Sequence, residues 1–261
     1  MIGSVTVERR GHVLSIGLDR VAKRNAIDVP MYESLSAALG TLERDPELRC
    51  GVLFAHGDHF TGGIDLPQWT RHFDEGRRPA LPDGGMDPLG QEPERALTKP
   101  LVMAVQGYCF TIGIELLLAA DIRIAADNTR FAQIEIKRGI FPIGGATTRF
   151  IQEAGWGNAM RWLLTGDEFD ASEALRIGLV QQVVPAGTQA DVAHAIAATI
   201  AEQAPLAVTE TLVSARRCRV EGERAATARL LPELQRLLRT DDAREGMESF
   251  RSRRPGRFTG R

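Results

Sequence analysis

Apolar positions near the start of the chain cluster as in strands. Ser4 to Val7 and His12 to Leu18 are rich in β-formers around Arg10-Gly11 and predict a hairpin. The period then lengthens: Pro30 followed by Met31, Leu35, Ala38, Leu39 and Leu42 predicts a helix from about Pro30 to Arg44. Cys50 to Ala55 predicts a buried strand. Leu101 to Val105 predicts another, Gln106 to Ile112 a turn-rich connection, Gly113 to Ala120 an apolar helix, and Ile122 to Ala125 a further strand. From Ala171 the pattern is helical. It runs through Ala171 to Ile177, a short strand Val180 to Val184, and long amphipathic stretches to Phe250, with Pro205 and Pro232 expected near the beginnings of their helices. This predicts an α/β fold with residues 1–201 as the core and residues 202–261 as a helical appendage.

One stretch breaks the pattern. Between Glu75 and Pro93 stand Gly76, Pro79, Pro82, Gly84, Gly85, Pro88 and Gly90, too long a loop for a simple connector and expected to be a mobile lid or an insertion.

Composition narrows the function classes. With 43% apolar and 25% charged residues, the chain is of the ordinary globular kind. A net charge of -2 supplies no general field for DNA, RNA or an anionic membrane. Three widely spaced cysteines argue against a disulfide framework or a structural zinc site. Met1 to Arg10 has no apolar leader region and no stretch approaches a membrane span, so a cytoplasmic location is expected.

The candidate chemistry lies in two carboxylates and two turns. In Gly113 to Ala120 every residue but Glu115 is apolar or glycine, so helix burial carries this carboxylate inward. Burial without a partner costs several kcal/mol or raises the pKa toward neutrality, which suits proton transfer. A structural glutamate, paired with an arginine or capping backbone amides, fits the same pattern. Glu135 stands in the apolar run Phe131 to Ile136, near a strand's end and before Gly139, Pro142, Gly144 and Gly145; a solvent-facing strand residue is the alternative. The turns Phe60 to Leu66 and Gly107 to Gly113 each precede a helix and can aim backbone N–H groups at an oxyanion, or serve only as caps, with Asp65 as one. His56 and His59 lack a third metal ligand, and no histidine is placed to activate Cys109.

In their order along the chain, these segments resemble the crotonase superfamily, the enoyl-CoA hydratase/isomerase family. Lys23-Arg24-Asn25-Ala26 is similar to its early coenzyme A segment, Phe60 to Leu66 to its first oxyanion motif and Gln106 to Asp121 to its second. Phe131 to Glu135 with Gly139 to Gly145 is similar to the segment holding its second glutamate, and Leu164 to Asp167 and Ala174 to Val180 also match. The resemblance implies a spiral of β-β-α units with a helical C-terminal region that supports trimers or hexamers. It implies Glu115 and Glu135 as the catalytic pair of an enoyl-CoA hydratase, with the Ile64 and Ile112 N–H groups as the oxyanion hole. Lys23, Arg24, Ala26, Gly62, Asp65 and Leu66 would contact coenzyme A, which is part of the substrate; no separate cofactor or metal is expected. Phe250 and the nearby arginines would reach a ligand on a neighbouring subunit. Two departures stand out. Thr111-Ile112-Gly113 replaces a run of glycines, and Ile64 replaces a small alanine, so the pocket is expected to be narrower near the reacting carbons.

Overall fold

The computed structural model describes residues 2–261. The hairpin forms as β1 (Ser4–Arg10) and β2 (Val13–Asp19), followed by helix α1 (Val29–Arg44) and β3 (Cys50–Ala55). Then come α2 (Leu66–Asp74), β4 (Leu101–Val105), β5 (Tyr108–Phe110), α3 (Ile112–Ala119), β6 (Ile122–Ala126) and β7 (Arg130–Ala132). After these lie α4 (Ala146–Ala154), α5 (Trp156–Thr165), β8 (Phe169–Asp170), α6 (Ala171–Arg176), β9 (Gln182–Val184) and α7 (Gln189–Ala201). The chain ends in α8 (Pro205–Glu221), α9 (Glu223–Leu237) and α10 (Asp241–Arg251).

Successive turns of chain feed two sheets. The larger runs β1-β2-β3-β4-β6-β9, antiparallel at β1/β2 and parallel from there on. The smaller runs β5-β7-β8. β4 followed by β5 and α3 is one strand-strand-helix turn. β3, Thr61 and α2 make the turn before it, since Thr61 pairs with Cys109 of β5. This is the expected spiral.

Strand alternation divides the core. Val13, Val52, Val102, Ala104 and Ile124 face α7, where Ala193, Ala197 and Ala201 allow close approach. Leu14, Ile16, Leu18, Leu53, Met103 and Val105 point to the opposite side, onto α1 and α3.

Some boundaries differ from expectation. The connection from Gln106 to Ile112 contains β5, too short for a periodic signal. The strand expected from Val180 begins at Gln182, and α4 and α5 carried no prediction. Pro232 lies well inside α9 rather than near its start, where it deprives Ala228 of a helical donor. The C-terminal helices dock through polar ties: Arg216 of α8 reaches Asp121 at 2.8 Å and also bonds the Leu97 carbonyl, and Arg49 donates to the Ala201 and Phe258 carbonyls. Along α9, Leu230, Leu231 and Leu234 remain exposed, as does Leu238 just past its end.

A buried polar cluster sets the start of α1. Asp28 is wholly inaccessible and accepts from the Met31 and Gly3 amides at 2.9 and 2.8 Å. It also faces Arg20 at 3.4 Å, which reaches Asp65 at 2.7 Å and the Ala26 carbonyl at 2.9 Å. Removing one partner strands a buried charge. Asp28→Ala is therefore expected to destabilise the fold by about 3 kcal/mol or more, read as a lower urea midpoint at unchanged slope; a midpoint within error of wild type would contradict this placement.

Candidate active site

Glu115 sits on the buried helix α3, where the apolar residues at Ile114, Leu116, Leu117 and Leu118 commit it to the interior. Its carboxylate makes no ion pair among the described residues. It accepts from the Gly144 N–H at 2.6 Å and, more weakly, from the Ala146 N–H at 3.4 Å, both in the turn that opens α4. Gly144 also gives the carboxylate its room, because a Cβ there would overlap the Glu115 carboxyl and make it shift. The amide capping weighed from the sequence is present, but it comes from a turn 29 residues away.

Glu135 is not on a strand. It opens a short 3-10 turn, Glu135–Arg138, three residues past the end of β7. Gln133, almost wholly buried, sets its side-chain amide 3.1 Å from both Glu135 oxygens, and assigning its nitrogen to that side satisfies both groups. No sequence reading picked out Gln133. The available signal was a polar residue two positions before the glutamate in an otherwise apolar run.

Burial pushes the carboxyls of both Glu115 and Glu135 up to about 7. For Glu115 the two backbone donors and the charges of Arg149 and Arg78 partly offset desolvation. For Glu135 the negative charge of Glu115 adds to it. Both line one cavity of about 1290 Å³, together with Gly62, Ile64, Leu66 and Ile112.

The Ile64 and Ile112 N–H groups face no acceptor among the described residues. The reason at Ile64 is strand geometry: Gly63 C=O and Asp65 N–H pair with Ile27, so the intervening N–H points the other way. Ile112 is the first residue of α3, whose initial N–H groups have no helical partner. Thr111, within the second turn and against Gly63 of the first, is held at φ 49° and ψ −112°, its buried hydroxyl without a partner among the described residues. For a β-branched residue this backbone is strained by about 1–3 kcal/mol, and it sets the entry to α3.

The remaining sequence candidates fall outside the cavity lining. Lys23 and Arg24 are exposed, and Arg24 stands 5.5 Å over the Tyr108 ring and lines a second, smaller pocket of about 270 Å³. Their turn joins the cavity edge through Gly62 N–H donating to the Arg24 carbonyl at 2.8 Å. Asn25 makes this possible: at φ 52° and buried, it donates to the His56 and His59 carbonyls and accepts from Arg20 N–H. Asp65 occupies the cap position of α2 without a side-chain cap bond, its carboxylate being turned to Arg20. Among the described residues no group of three or more His, Cys, Asp or Glu is placed to hold a metal ion.

Segment 75–93 is a bonded wall of the cavity. Buried Asp87 accepts from the Leu89, Gln91 and Glu92 amides, and Arg149 donates to the Leu89 carbonyl and, at 2.5 Å, to the Gly90 carbonyl. Ile64 and Ile112, the two bulky departures, both line this cavity.

Residues 8–261 match the family model described as Enoyl-CoA hydratase/isomerase. The chain is 33% identical to the enoyl-CoA hydratase EchA19 of Mycobacterium tuberculosis over 98% of its own length and 96% of that protein. It is 34% identical to the carnitinyl-CoA dehydratase of Proteus mirabilis over the whole of both chains. Among solved structures, a probable enoyl-CoA hydratase/isomerase from Mycobacterium abscessus superposes with a TM-score of 0.95 at 49% identity, covering 99% of each chain. An enoyl-CoA hydratase from Mycobacterium tuberculosis does so with 0.88 at 34%, again over 99% of each. No helix among the described residues is long and apolar enough to cross a membrane.

The raised carboxyl of Glu115 has a measurable consequence. Below its ordinary value near 4.5 it is protonated folded or unfolded; from there to about 7 the folded chain keeps a proton that the unfolded chain releases, so stability falls as pH rises. Glu115→Gln removes this loss. The variant is expected to gain up to about 3 kcal/mol over wild type at pH 8 and little at pH 4.5, measured by urea unfolding; an equal difference at both pH values would contradict the burial argument.

Proposed function

The chain belongs to the enoyl-CoA hydratase/isomerase family, the crotonase superfamily, and from that premise we propose that it hydrates a trans-2-enoyl-CoA reversibly to a 3-hydroxyacyl-CoA. The observation that carries this reading is a pair of carboxyls in one apolar cavity, both raised to about 7, beside two unpaired backbone N–H groups. Moving a double bond needs one such carboxyl. Adding water needs two proton transfers, one from the water and one to the α-carbon.

In the hydration direction, Glu115 acts as the ionised base. It takes a proton as the water oxygen bonds to the β-carbon, and the electron pair of the double bond shifts through the α-carbon to the thioester oxygen. The Ile64 and Ile112 N–H groups stabilise that charge, with each donor worth about 3 kcal/mol of barrier lowering. Glu135, kept protonated by burial and by the charge of Glu115, delivers the proton to the α-carbon. Gln133 holds the Glu135 carboxyl in place. The carnitinyl-CoA dehydratase similarity fits the same chemistry run as loss of water.

Coenzyme A would lie along the Lys23 to Ala26 turn and Gly62 to Leu66, its phosphates near the exposed Lys23 and Arg24. This route uses only protein groups, water and the substrate. The exposed leucines of α9 support the trimeric or hexameric assembly implied by the resemblance.

Crotonyl-CoA and longer enoyl-CoAs should lose the enoyl-thioester absorbance and gain the mass of one water on incubation with the protein. Glu115→Gln and Glu135→Gln should each lower kcat by about 10³-fold with the fold intact by circular dichroism. Products that keep the substrate mass with the double bond moved would replace hydration by isomerisation. Gly144→Ala, which displaces the Glu115 carboxylate, should lower kcat nearly as far as Glu115→Gln; full activity would show that the 144–146 turn does not position the base.

A further inference from the structure

Building on the acyl-CoA reading, we infer that this site selects a bulky, largely apolar acyl group, a long chain or one bearing a ring, and that segment 76–92 is the wall that does the selecting. The cavity of about 1290 Å³ exceeds the roughly 300–1,000 Å³ common for small-molecule sites. The coenzyme takes up only part of that space, because of the residues placed along it Gly62 and Leu66 line one edge while Lys23, Arg24 and Ala26 line none of it.

Two apolar walls face the space. Trp69, Phe73 and Leu81 belong to α2 and the segment after it, and Ile140, Phe141 and Ile143 to the segment after β7. Both are tied in place. Asp87 fixes the first by its three amide bonds, Ser36 by bonds in both directions with Met86, and the Trp69 indole by donating to the Ile27 carbonyl at 2.8 Å. Gln91 then bridges to the second by donating to the Ile143 carbonyl at 2.9 Å.

A space held open in this way does not collapse around a small ligand. A short acyl group leaves the apolar walls wetted, while each methylene buried against them tightens binding by about fourfold. The cations beside segment 76–92 are already engaged, Arg77 with Glu75 and Arg78 with Gln91 and Glu92, which disfavours recognition of an anionic acyl end there. Arg138 lines the cavity only at its solvent-exposed rim.

Isothermal titration of the full-length protein with butyryl-CoA and decanoyl-CoA, neither of which can be hydrated, tests this apart from catalysis. Decanoyl-CoA is expected to bind about 10²-fold more tightly or better. Leu81→Trp should cut that ratio at least about tenfold; should it fail to fold, Ile140→Trp on the half-exposed opposite wall is the second variant, with the same expectation. Equal binding of the two thioesters, or a ratio that both folded variants leave unchanged, overturns the inference. Tight decanoyl-CoA binding with no hydration of trans-2-decenoyl-CoA would sink the hydratase reading and leave this one standing. Hydration of crotonyl-CoA together with equal binding would do the reverse. Binding of neither thioester would overturn both.

Discussion

The central constraint on this molecule is a carboxylate that has to lie in the interior. Helix α3 is apolar on every side, so core formation drags Glu115 inward, away from water and without a counter-ion in contact. Two backbone N–H groups at the start of α4 answer that need, and they do so only because Gly144 lets the chain pass against the carboxylate. From the same helix start, Arg149 holds the wall segment through the Leu89 and Gly90 carbonyls. The Glu115 contacts, the turn before α4 and the shape of the cavity are thereby coupled through one short stretch of chain.

A second polar cluster does comparable work on the other side of the cavity. Arg20 gathers Asp28, Asp65 and the Ala26 carbonyl, while Asn25 gathers the His56 and His59 carbonyls. Together they hold the 23–26 turn against Gly62 and leave Ile64 with an N–H that faces no protein acceptor. The Ile112 N–H comes from a different turn of the spiral, brought alongside by the Thr61–Cys109 bridge. A pair of donors assembled from separate strand-strand-helix units is preorganised by the fold, and such donors need no reorientation as charge develops on a thioester oxygen.

The proposed division of labour between the glutamates follows from environment rather than residue type. Both are desolvated, but Glu115 has backbone donors that favour its charged form, and that charge favours the proton on Glu135. Near neutrality one base and one acid then coexist, the protonation pattern that addition of water demands. Family membership and this electrostatic asymmetry are independent lines of support for the same chemistry.

Much of this was legible along the chain. The hairpin, α1, β3, β4, α3 and β6 follow from local period and turn residues, and the isolation of Glu115 among apolar neighbours already implied a buried, perturbed carboxyl. Local signals failed where structure is short or partners are distant. β5, at three residues, exists because it pairs with β7, and the Glu135 turn bends off the end of β7 for reasons no local period records. Asp65, read as a possible cap, is diverted by an arginine 45 residues earlier. The loop from 75 to 93 reads as loose because its composition is Gly and Pro, yet it is fixed by Asp87, Arg149 and Gln91, whose partners include residues across the fold. Residue type and period determine which groups are buried and which backbone can bend. Which donor meets which carboxylate, and how much space remains between the walls, depends on long-range packing and was decided only by the tertiary structure.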